Sequence, residues 1–181
     1  MCVICDGGTY DELHFTQFGN IMRCGFTVTM VEDPPTWAYT IGLTQTSNHP
    51  ELVVTGLPQC CVLSIINEVV DLIRDGERFN ASAPPLDLDW GRVRFEAVHP
   101  AQWDQGRFDQ WIRYYDALGS MPDRDVLQVV WADPDGRFPD DGNFHGEQAL
   151  LDAAPRHNVN AGPNREARRR GKYGHGTRRR R

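Results

Sequence analysis

The apolar positions of the chain fall into two periods, and the changes from one to the other mark its elements. Tyr10, Leu13, Phe18, Ile21 and Met22 recur at roughly helical spacing. Thr9 and Glu12 stand ahead of them in capping-box form, and Gly25 suits the position that ends a helix. The period then drops to two. Residues 26–31 alternate as a half-buried strand, and Asp33-Pro34-Pro35 breaks it. Trp37, Tyr39, Ile41 and Leu43 alternate with Ala38, Thr40 and Gly42 as a second strand. Residues 52–55 predict a third, ending at Gly56.

Pro58 suits the first turn of a helix, and Val62, Ile65, Ile66, Val69, Val70 and Ile73 follow at a 3.6-residue period before Gly76 closes it. Residues 80–91, with Pro84-Pro85, read as a loop. Val93, Phe95 and Ala97 alternate with Arg92, Arg94 and Glu96, which predicts a strand with one wet face. Phe108, Trp111, Ile112, Tyr115 and Leu118 form another amphipathic helix, ended by Gly119. Residues 126–131 read as a strand, and Asp133-Pro134-Asp135-Gly136 as a turn. This order predicts a single α+β domain over residues 1–155, with a mainly antiparallel sheet and two to three amphipathic helices. Beyond it, residues 156–181 show no apolar periodicity and read as a disordered, arginine-rich tail.

Composition changes the picture in two places. The chain is 40% hydrophobic and 24% charged, enough for a core, and no apolar run approaches the roughly 20 residues that span a bilayer. The start, MCVICDGG, has neither a basic nor an apolar leader segment, so the expectation is a cytoplasmic protein with no membrane contact. In a reducing compartment the five cysteines are thiols, metal ligands or redox groups rather than a disulfide framework. The net charge of −6 is also uneven. Residues 156–181 hold nine Arg and Lys172 against Glu166, a net +9, which leaves −15 on the rest.

The order of motifs carries a resemblance. MCVICDGG is followed by a helix, then GFTVTMVEDPPTWAYTIGL, HPELVVTGLP, a helix containing Asn67, and VLQVVWADPDGRFPDD. From Met1 to about Leu151 the chain resembles the DUF4262 family, small bacterial proteins with many actinobacterial members. The resemblance implies a compact cytoplasmic α+β domain and brings no catalytic residues with it. Members of that family often carry an aromatic residue after the FP of the last motif. Here Phe138-Pro139 is followed by Asp140-Asp141, so any pocket lining that aromatic supplied is lost.

Several polar residues inside apolar runs are candidates for chemistry. Tyr39 and Thr40 lie on opposite faces of one strand. The face of Ala38, Thr40 and Gly42 leaves room at the backbone for a ligand or for a closely packed helix. Glu51 begins the third strand behind His49-Pro50; it is a candidate general base if buried, and otherwise part of a surface loop turned by Pro50. Asn67 in the helix and Gln128 in the last strand either tie neighbouring segments or bind a ligand. If Tyr39, Thr40, Glu51, Asn67 and Gln128 converge, they form a polar small-ligand pocket floored by the sheet.

Cys2-x-x-Cys5 supplies half of a zinc site; Cys24, His14, Cys60 and Cys61 are the residues able to complete it. No strand precedes Cys2, unlike a thioredoxin-type motif, and packing thiols are the plain alternative. Asp133-x-Asp135-Gly136 lacks the further ligands of a calcium loop. In the tail, Arg168, Arg169, Arg170, Lys172 and Arg178, Arg179, Arg180, Arg181 form a basic cluster able either to neutralise nucleic-acid phosphates or to screen the acidic body.

Overall fold

The structure, a computed structural model, describes residues 7–31 and 36–154. Helix α1 (Tyr10–Cys24) starts with the expected capping box: the Thr9 hydroxyl accepts the Glu12 N–H, and the Glu12 carboxylate accepts the Thr9 N–H. Strands β1 (Thr27–Val31) and β2 (Trp37–Ile41) follow. A short helix α2 (Leu43–Ser47) lies before β3 (Glu51–Thr55). Helix α3 (Gln59–Arg74), β4 (Leu86–Asp87), β5 (Arg92–Ala97), a 3-10 helix (Pro100–Gln105), α4 (Asp109–Ala117) and β6 (Val126–Trp131) complete the chain of elements.

The strands form one six-stranded sheet in the order β1-β2-β3-β6-β5-β4. Each neighbouring pair is antiparallel except β3 and β6, which run parallel with Glu51 opposite Val126. The fold is thus a single α+β domain with a mostly antiparallel sheet. Helix α3 lays its apolar stripe on one face, against Ala38, Leu52, Val54, Phe95 and Val129. Helix α4 and the 3-10 helix cover the other face with Trp103, Phe108, Trp111 and Tyr115, against Trp37, Tyr39, Ile41 and Val53. Every residue of β2, β3 and β6 is therefore buried, and any polar side chain on them needs an internal partner.

Three expectations are corrected. Leu43 does not extend the second strand: Gly42, at φ +117°, turns the chain, and Leu43 opens α2. The loop at 80–91 contains the two-residue strand β4, paired with β5. His49 and Glu51 do not sit in a surface loop, since both are buried. Among the described residues no helix is long and apolar enough to cross a membrane. Cys2, Cys5 and the whole of residues 156–181 lie outside the described residues.

Candidate functional site

The polar residues of β2 and β3 meet where the two strands part. Their ladder ends at Tyr39 opposite Val53. Beyond it the Thr40 hydroxyl takes the place of a backbone acceptor, receiving the Leu52 N–H at 2.9 Å. The same hydroxyl donates to Glu51 Oε2 at 2.6 Å. On the Ala38–Thr40 face of β2, Ala38 packs in the cluster of the α3 residues, and Thr40 is fully buried.

The Glu51 carboxylate accepts four further donors. The N–H of Gly42 reaches Oε1 at 2.8 Å and that of Thr44 at 3.3 Å, while Leu43 N–H reaches Oε2 at 3.3 Å. These are the free N–H groups that open α2, which Gly42, having no side chain, leaves uncapped. The Tyr115 hydroxyl, from α4, donates to Oε1 at 3.3 Å. Burial raises the Glu51 pKa above the ordinary carboxylate value, against the pull of the Thr40 hydroxyl and the three N–H groups. Burial also raises Tyr115, and the neighbouring Glu51 charge adds to it. Tyr114 is raised by the same two causes, and its hydroxyl has no hydrogen-bond partner among the described residues.

Gly42 is required twice over. Besides its positive φ, a Cβ there would stand 2.9 Å from Ile21 Cγ1 and 3.0 Å from the Gly25 carbonyl oxygen. The end of α1 thus packs straight onto the turn, and Thr46 Oγ1 locks it by donating to the Gly25 carbonyl at 2.7 Å.

Only two of the five pocket candidates come together, Thr40 and Glu51. Tyr39 lies on the opposite face, its ring 5.1 Å from Phe108 and 6.1 Å from Trp37, with its pKa raised by burial. Asn67 is exposed on the outer side of α3. Gln128 acts elsewhere. Its Nε2 donates to Thr55 Oγ1 at 3.1 Å and to the Ala149 carbonyl at 2.6 Å, and its Oε1 accepts the Leu151 N–H at 2.7 Å. It ties residues 149–151 to the sheet.

One residue of the site escapes a reading by sequence pattern, and two others, His49 and Asp133, take structural roles where the sequence marked only a turn or a strand start. Tyr115 looks like one more apolar position of α4, and nothing local marks its hydroxyl as a donor to a strand 64 residues away. His49 is 2% exposed; its Nδ1 donates to the Pro50 carbonyl at 2.8 Å, so its Nε2 accepts the Phe79 N–H at 3.2 Å. Burial lowers its pKa and keeps it neutral. Asp133 shapes the turn after β6, its carboxylate accepting the N–H groups of Asp135, Arg137 and His145.

Beside the Glu51 cluster a half-open cavity of about 180 Å³ is lined by Thr44, Gln45, Tyr115, Leu118, Ser120 and Pro122. The Thr44 hydroxyl has no hydrogen-bond partner among the described residues. Tyr115 forms the wall between this cavity and Glu51. As for metals, no group of three His, Cys, Asp or Glu side chains is placed to hold an ion among the described residues. Cys24 is exposed at the end of α1, and Cys60 and Cys61 open α3 with their sulfurs 3.8 Å apart.

No curated protein and no solved structure matches the chain. The family model described as a domain of unknown function, DUF4262, matches residues 20–145, which include every member of the Glu51 cluster and stop short of both Cys5 and the arginine-rich tail. The chain belongs to the DUF4262 family.

Proposed function

We propose that this domain is a small-ligand-binding or accessory module without catalysis of its own, and that its ligand occupies the cavity beside Glu51 rather than Glu51 itself. The observation that carries this reading is the complete internal use of the Glu51 carboxylate. It is sealed from solvent, and five internal donors converge on its two oxygens. A general base needs hydrogen-bond reach to a substrate proton. Glu51 reaches only protein groups and serves as a strut that holds α2, β2, β3 and α4 together.

The adjoining cavity supports a ligand of definite character. Its lining holds no charged side chain, offers the hydroxyl of Ser120 and the amide of Gln45, and is otherwise apolar through Tyr115, Leu118 and Pro122, while the Thr44 hydroxyl itself is buried behind it. This chemistry suits a small, uncharged, hydrogen-bonding molecule, below the roughly 300 Å³ lower bound of sites for drug-sized ligands. The zinc or thiol reading at Cys2 and Cys5 and the nucleic-acid reading of the tail concern residues outside those described.

A library of small neutral fragments, screened by amide NMR against the full chain, tests the proposal. Binders should move the amide resonances of Thr44, Gln45, Tyr115 and Ser120 first. Fragments that cluster on another surface, or an absence of binders at millimolar concentration, would overturn it.

A further inference from the structure

Helix α1 buries one side and leaves the other bare. Gln17 and Ile21 face the body, whereas Phe15 is 81% exposed, Met22 68% and Phe18 41%. Residues 15, 18 and 22 follow the alternating three- and four-residue spacing that lines up one face of a helix. The stripe spans about 10 Å at 1.5 Å per residue. Among the described residues nothing covers it.

Gly19 adds an independent observation. It sits on the same exposed side in the middle of α1, where glycine costs about 1 kcal/mol relative to alanine. A Cβ at Gly19 would meet no atom within 4 Å among the described residues. Packing against the described residues therefore gives no reason for the missing side chain. A backbone approaching from outside gives one.

We propose that this face of α1 is the contact for a second copy of the chain, packed antiparallel across a two-fold axis near Phe18 and Gly19. About that axis Phe18 of each copy lies over Gly19 of the other, and Phe15 lies against Met22 of the other. The charges also fit this partner. Asp11 and Glu12 stand exposed at one end of the stripe and Arg23 at the other. Antiparallel pairing brings the acids of each copy toward Arg23 of the other, whereas parallel pairing sets like charges together. A two-turn stripe buries less than the roughly 800 Å² per partner of a stable interface, so the dimer forms in a concentration-dependent way.

Sedimentation of the full chain across a series reaching the high micromolar range tests this. The expected result is a monomer–dimer equilibrium in the native chain and a monomer in Phe15→Glu, with circular dichroism unchanged because Phe15 is exposed. Gly19→Leu should block the dimer as well. Arg23→Glu should weaken it about fivefold, and Arg23→Glu combined with Asp11→Arg should restore it. A native chain that stays monomeric throughout, or a dimer that survives both Phe15→Glu and Gly19→Leu, would overturn the proposal.

Discussion

At Glu51 a single side chain joins four elements, and its replacement separates the strut from a reactive group. Glu51→Gln keeps the shape but offers one acceptor oxygen to donors that now use two. Buried N–H groups left unpaired cost about 1–3 kcal/mol each, so a loss of about 2–3 kcal/mol at neutral pH is expected in urea unfolding. The pH dependence has a definite sign. The Glu51 pKa is raised in the folded state, so the folded state binds the proton more tightly than the unfolded state. Its contribution is full below the ordinary carboxylate pKa and declines as pH rises through the raised value. The native chain should therefore exceed Glu51→Gln most in acid solution, and the gap should narrow as pH rises. A gap that widens with pH would mean that the donors outweigh burial. Thr40 and Glu51 were each legible as polar residues set in or beside an apolar run, but not as a pair. Tyr115 and the α2 N–H groups were not, since a carboxylate's partners depend on tertiary approach and leave no local pattern.

Among the elements, α2 turns on Gly42, and residues 149–151 are held to the sheet by Gln128 together with Thr55 and the His99 N–H. Gly42→Ala should cost about 2–4 kcal/mol, because it sets a side chain at positive φ and drives Cβ into Ile21 and the Gly25 carbonyl. The unfolding midpoint measures it; a neutral result would show that the end of α1 moves aside. Gln128→Leu should leave the Leu151 N–H without its acceptor and loosen residues 149–151, seen as faster hydrogen exchange at the Leu151 amide with little change in the β3–β6 amides. The helices and long strands followed from periodicity alone, because α3 and α4 each bury one stripe. The short α2 and β4 did not, because five and two residues are too few to show a period. Asn67 misled for a related reason. Next to Ile66 in sequence, it is turned about 100° away on the helix and faces outward.

For the whole molecule, the described core reaches its end just ahead of the tail. Among the described residues the last buried apolar one is Leu151, so a chain ending at Pro155 should keep its unfolding midpoint at moderate salt. A clear fall would show that the basic tail packs on the −15 body rather than acting beyond it. Charge asymmetry was plain from the sequence, but its use was not, because like-charged runs carry no geometry. Family membership rests on the match over residues 20–145 and says nothing of a ligand. The proposed ligand site rests instead on the cavity, whose lining brings together Thr44 and Gln45 of α2 with residues 115–122, which are distant in the chain. The most direct test is a titration of Ser120→Trp, which fills that cavity from an exposed position, with any fragment that binds the native chain. The expected result is loss of the shifts at Thr44, Gln45 and Tyr115 with the unfolding midpoint unchanged; undiminished binding by the filled variant would contradict a ligand site beside Glu51.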